Sequence, residues 1–169
     1  MSQILAPGTS APEFTLRVTP DQDLSLNEFR GRPVIIAFYP ADWSPVCGDQ
    51  MTLYNQIRSE FHKYGAEVLG ISVDGAWCHQ AYARHNHIHF PLLADFHPKG
   101  AVAEKYGAYR EQDGVCERAL FVVDRNGIIF GAICRRSPST PAPMAFSTPS
   151  KASRIRRNSD GYPASSGQL

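Results

Sequence analysis

Apolar positions fall in short runs whose period changes along the chain, and each change marks an element. Phe14-Thr15-Leu16-Arg17-Val18 alternates apolar and polar residues, the two-residue period of a strand. Leu24, Leu26 and Phe29 cluster around Asn27 in a turn or short helix that closes on Gly31. Pro33-Val34-Ile35-Ile36-Ala37-Phe38 is a continuous apolar strand. Residues 50–64 switch to a helical period, with Leu53, Ile57 and Phe61 as a stripe, Tyr54 beside it and Gly65 as C-cap. Residues 67–74 form a near-continuous apolar strand of the kind buried on both faces. Residues 76–87 read as helix, 91–95 as a short strand, and 101–106 as a short helix ended by Gly107. Residues 119–123 and 128–133 pair as a hairpin around Asp124-Arg125-Asn126-Gly127, because Asn-Gly is a strong turn signal. Strand–helix alternation followed by a hairpin predicts an α/β fold, a central mixed sheet flanked by helices.

A chain of 169 residues, 43% hydrophobic, is long enough for one domain with a real core. No apolar run approaches a membrane span, and Met1-Ser2-Gln3 opens no signal peptide, so a soluble cytoplasmic protein is expected. The four cysteines, Cys47, Cys78, Cys116 and Cys134, form no C-x-x-C pair. In a reducing compartment such thiols are catalytic or inert rather than structural.

The pattern breaks after Cys134. Pro, Ser, Thr, Ala and Arg dominate, and periodic apolar residues vanish. The expected organisation is therefore a domain over 1–134 and a basic, Pro/Ser-rich disordered tail over 135–169. The tail carries six basic residues against Asp160, so the formal charge of +1 hides a mildly acidic body. Arg154-Ile155-Arg156-Arg157 has no aromatic interleaving, so no nucleic-acid or membrane partner is expected. His85-x-His87-x-His89, with His79 and His97, lacks a carboxylate or cysteine at a metal-site spacing. Neither metal nor cofactor is expected.

Candidate chemistry gathers at Tyr39-Pro40-Ala41-Asp42-Trp43-Ser44-Pro45-Val46-Cys47. A cysteine where a strand turns into a helix sits among unpaired backbone N–H groups and the positive end of the helix dipole. Both favour the thiolate, which is the nucleophile.

Pro40-x-x-x-Ser44-x-x-Cys47 resembles the active-site motif of the peroxiredoxins in its Ser-for-Thr form. The segment 117–129, opening on Glu117-Arg118, resembles the family's strand-turn-strand segment, whose arginine reaches the active site. The resemblance spans about residue 7 to about residue 133 and points to the bacterioferritin-comigratory, one-cysteine-like branch. It implies a thioredoxin-like fold and a thiol-dependent peroxidase that reduces hydrogen peroxide or small organic hydroperoxides through a sulfenic acid on Cys47. Ser44 would bond the peroxide and Arg118 would stabilise charge on the leaving oxygen. Pro40 would wall the pocket and shield the sulfenate. Tyr39 and Trp43 would shape the pocket or serve as ordinary core or collar aromatics. Gln50 departs from the glutamate of many members, which puts in doubt any carboxylate that orients the arginine.

In some members a resolving cysteine sits on the helix that here begins near Trp77-Cys78-His79. Cys78 is accordingly a candidate for a disulfide with Cys47, or else a cysteine facing core. Thr52 stands five residues after Cys47, so the commonest short-range resolver is absent. The implied partners are a peroxide, a thiol reductant such as thioredoxin, glutaredoxin or a low-molecular-weight thiol, and a second copy in a homodimer. The family also implies a C-terminal amphipathic helix. One synonymous back-translation of residues 141–151, read in a shifted frame, gives Gly-Ala-Asp-Gly-Ile-Leu-Asp-Ala-Leu-Glu, a capped helix. The tail is thus read as a frameshift product or a native disordered tail. The alternatives to an enzyme are a thioredoxin-like redox relay or sensor, or an inactive binding module. The run Trp43 to Cys47 mimics a W-C-x-x-C site, but Ser44 holds the place of its attacking thiol.

Overall fold

The computed structural model describes residues 3–135. Strands β1 (Thr15–Thr19) and β2 (Gln22–Ser25) pair antiparallel, and a one-turn helix at Leu26–Phe29 follows. Strand β3 (Val34–Phe38) leads to helices α1 (Pro45–Gln56) and α2 (Arg58–Lys63). Then come β4 (Glu67–Ser72), α3 (Ala76–His85), β5 (Leu92–Ala94) and α4 (Ala101–Lys105). Strands β6 (Tyr109–Arg110) and β7 (Val115–Cys116) form a small separate hairpin. Strands β8 (Arg118–Val123) and β9 (Ile129–Arg135) end the described part.

The main sheet runs β2-β1-β5-β4-β3-β8-β9. Central β3 is parallel to β4 and antiparallel to β8, so the sheet is mixed, as the pattern predicts. Strands β3 and β4 read as continuous apolar runs because both faces of the sheet are covered there. One face packs Val34, Ile36, Phe38, Leu69 and Ile71 with Tyr106 and Phe121. The other packs Ile35, Ala37 and Val68 with Cys47, Met51 and Tyr82. The helices α1 and α3 are therefore anchored on the second face, and Cys47 is anchored with them.

Several boundaries differ from the sequence reading. The first helix begins at Pro45, not at residue 50, because Ser44 takes the N-cap and Pro45 the first helical position. It also breaks at Ile57 into two helices. The break changes the helical phase: Cys47 and Met51 form the buried face, while Leu53 of the expected stripe is 51% exposed. Strand β4 ends at Ser72 and α3 at His85, earlier than the periodicity suggested. The short strands β2, β6 and β7 escaped notice, since two to four residues cannot establish a period. Arg135, assigned to the tail, closes β9. The rest of the tail and its frameshift reading lie outside the described residues.

Candidate active site

The site is built from the loop that leaves β3. Tyr39 N–H still donates to Ile71 O at 3.0 Å, so the strand register extends one residue. Asp42 then turns inward and becomes buried. Its backbone N–H donates to Asp74 Oδ2 at 2.8 Å. Its carboxylate accepts from the Tyr39 hydroxyl at 2.7 Å and lies 2.9 Å from His79 Nδ1. The other ring nitrogen of His79 lies 3.1 Å from Leu93 O. The loop is thereby tied to β4, β5 and α3 at once.

Trp43 follows with φ 62°, a left-handed conformation uncommon outside glycine. Its ring packs against Tyr82 at 5.4 Å and His85 at 5.3 Å between centroids. Ser44 caps α1 through its extended backbone, and its carbonyl accepts from Gly48 N–H at 2.9 Å. Its hydroxyl makes no capping hydrogen bond.

Cys47 occupies the first turn of α1 and is 0% exposed. No acidic side chain stands in that turn to offset the positive helix end. Arg118 reaches it from the sheet, with Nη2 donating to Cys47 Sγ at 3.6 Å. Sheet register explains the approach. Ala119 pairs with Phe38, so Arg118 stands beside the end of β3, where the loop departs. Pro40 is half-buried at the start of that loop.

The remaining expected residues divide. Tyr39 is fully buried and turns its hydroxyl to Asp42, so it locks the loop and does not line the pocket by its polar end. Burial and the neighbouring Asp42 push its phenol well up. Trp43 is 53% exposed and forms a collar against α3. Gln50 donates through Nε2 to the Tyr54 hydroxyl at 2.7 Å. Its Oε1, and Nε of Arg118, are buried without a hydrogen-bond partner among the described residues.

Cys78 lies half-buried in the first turn of α3. Its sulfur and one oxygen each of Asp42 and Asp74 lie within 4.8 Å of one another. Burial, then the hydrogen bond and charge of Asp42, push its thiol up to about 11. These three groups could in principle hold a metal ion. However, Asp42 already serves Tyr39 and His79, and Asp74 Oδ2 already serves Asp42 N–H and the Ser72 hydroxyl at 2.6 Å. Cys116 is fully buried, and burial holds its thiol far above the ordinary range. A cleft of about 370 Å³ beside α3, lined in part by Ala83, Arg84, His87 and Phe90, includes none of Cys47, Ser44 and Arg118.

Sequence reasoning missed Asp42, Asp74, His79 and Tyr82 as parts of the site. Asp42 and His79 are 37 residues apart, and neither belongs to a local motif that announces the contact.

A cysteine at a helix N-terminus, met by an arginine from a neighbouring strand of a mixed α/β sheet, fits a thiol peroxidase on a thioredoxin-like fold. Similar proteins give the family. The AhpC/TSA family model matches residues 7–131. Alkyl hydroperoxide reductase E of Mycobacterium tuberculosis is 38% identical over 123 residues, 72% of this chain and 80% of that protein. The crystal structure of reduced Plasmodium vivax 2-Cys peroxiredoxin superposes with a TM-score of 0.70 at 28% identity, covering 78% of this chain and 89% of that one. Peroxidoxin BcpB from Mycobacterium tuberculosis gives 0.70 at 26% identity, covering 76% and 84%. The chain belongs to the AhpC/TSA family, the peroxiredoxins, and is a thiol peroxidase.

Proposed function

We propose that Cys47 is the peroxide-attacking nucleophile, with Ser44 and Arg118 as its partners and Pro40 as a pocket wall. The 3.6 Å approach of Arg118 Nη2 to Cys47 Sγ carries the reading. A fixed guanidinium beside the sulfur stabilises the thiolate and then the charge that develops on the leaving oxygen. The Ser44 hydroxyl, which makes no capping hydrogen bond, supports a second hold on the peroxide. The sulfur is closed off from bulk water, which suits hydrogen peroxide and small alkyl hydroperoxides over bulky ones.

An external thiol reductant, of the thioredoxin, glutaredoxin or low-molecular-weight kind, is the proposed route back from the sulfenic acid. The observation favouring it over resolution by Cys78 is the niche of that thiol. Beside two carboxylates it keeps its proton, and a protonated thiol attacks slowly. A cytoplasmic setting and a homodimer remain part of this proposal. No helix among the described residues is long and apolar enough to cross a membrane.

Intact-mass analysis after stoichiometric peroxide tests the assignment. The parent should gain one oxygen on Cys47, and Cys47→Ser should lose turnover while keeping its fold. Turnover retained by Cys47→Ser would reject the assignment. Loss of two hydrogens with a Cys47–Cys78 link would replace the external-thiol route.

A further inference from the structure

One buried hydroxyl beside the active-site helix has no hydrogen-bond partner among the described residues. Tyr82 is 1% exposed, and its hydroxyl makes no hydrogen bond among the described residues. The hydroxyl lies 3.8 Å from where a Cβ on Gly48 would stand, the residue after Cys47. Tyr82 and Cys47 belong to the same apolar cluster, and the Trp43 ring meets the tyrosine edge-on. Burial first, then the charges of Asp42 and Cys47, push the phenol up to about 12, so it keeps its proton at neutral pH. An unbonded buried hydroxyl is destabilising, and phenylalanine would fill nearly the same volume without that penalty. A hydroxyl held there has a use if an acceptor arrives during the reaction.

We propose that Tyr82 is a further catalytic residue, whose hydroxyl donates a hydrogen bond to the oxygen that Cys47 takes from the peroxide. This rests on Cys47 as the nucleophile. The thiolate sulfur attacks one peroxide oxygen, and the O–O bond breaks. The bonding pair goes to the other oxygen, which takes the proton of the attacked oxygen and leaves as water or an alcohol. The sulfur is oxidised to a sulfenate and the peroxide is reduced. Tyr82 transfers no proton in this step. It meets the negative oxygen forming on sulfur, within the apolar cluster that Tyr82 and Cys47 share, while Arg118 approaches from β8. Donors placed for charge that appears only in the reaction accelerate it, because they need no reorganisation.

Tyr82→Phe in the full chain tests this. Its melting temperature should equal or exceed the parent's, since no existing hydrogen bond is lost. Its rate constant with hydrogen peroxide should fall about tenfold, the scale of one lost hydrogen bond in the transition state. Alkylation of Cys47 by iodoacetamide, followed by peptide mass, should keep the parent's rate, because alkylation places no oxygen on sulfur. An unchanged peroxide rate would overturn the proposal. So would a parallel fall in both rates, which would mean a disturbed Cys47 rather than a missing donor. Cys47→Ser, assayed alongside, separates the two readings: its full turnover would remove Cys47 itself, whereas an inactive Cys47→Ser with unimpaired Tyr82→Phe would remove Tyr82 alone.

Discussion

Asp42 and His79 meet 2.9 Å apart with side chains 0% and 1% exposed, and this buried pair fastens the active-site loop to α3. The Tyr39 hydroxyl shares the same carboxylate. Removing that carboxylate takes the 2.7 Å and 2.9 Å partner from the Tyr39 hydroxyl and His79 Nδ1, leaving them their mutual 3.4 Å contact, while His79 Nε2 keeps Leu93 O. Asp42→Ala should therefore lower stability by about 1–3 kcal/mol, the usual loss when a buried donor is deprived of its acceptor. Urea denaturation measures it, and a midpoint equal to the parent's would show that the loop is held by other contacts.

Arg118→Met should slow peroxide attack on Cys47 by roughly two to three orders of magnitude, the scale of one preorganised charge donor. The fold should persist, because Arg118 opens β8 at its half-exposed end. Stopped-flow measurement with hydrogen peroxide decides this. A parental rate would make Arg118 a bystander to the chemistry.

Cys78 should react slowly with iodoacetamide at neutral pH, and its rate should climb as pH rises toward about 11. The sign follows from the direction of the shift. A thiol raised above its ordinary range keeps its proton longer, and only the thiolate reacts. Asp42→Asn removes one of the groups responsible and should move the rise to lower pH. The measurement belongs in a Cys47→Ser background. Rapid alkylation of Cys78 at neutral pH would contradict the niche described and revive it as an attacking thiol.

Gly127→Ala should destabilise the β8–β9 hairpin. Gly127 has φ +81°, and a left-handed conformation costs a residue with a Cβ roughly 1–2 kcal/mol. The new methyl would also meet the Arg30 guanidinium, which donates to Asn126 O at 2.6 Å. Thermal unfolding reads the loss. An unchanged melting temperature would show that the turn relaxes freely.

The chain order of strands and helices was legible because long apolar runs and helical periods report burial directly. Strand β3 and the turn at Asp124–Gly127 lie where the pattern put them: Asp124 Oδ1 accepts from both Asn126 and Ile128 N–H at 2.8 Å, the closure that Asp and Asn-Gly favour. The start of α1 was misread although Ser44-Pro45 signals it, because the apolar stripe further on drew the boundary. The Leu53, Ile57 and Phe61 stripe runs across the break at Ile57, so its ends belong to two helices, and Leu53 falls on the exposed side of α1.

For the site, Cys47, Ser44 and Arg118 could be chosen from the sequence by motif, since their chemistry depends on residue type and on the element that carries them. What the sequence alone determined is thus which sulfur, hydroxyl and guanidinium to propose, and that the sulfur stands where a strand turns into a helix. That Arg118 comes within 3.6 Å of a sulfur 71 residues away was decided by the antiparallel pairing of β3 with β8. That Asp42 is a buried anchor, that Asp42 and Asp74 stand beside the Cys78 sulfur, and that the Tyr82 hydroxyl stands beside Gly48 with no hydrogen-bond partner among the described residues were decided by packing of α3 against the loop. Such properties belong to distances and burial between residues far apart in the chain, and a one-dimensional pattern holds neither.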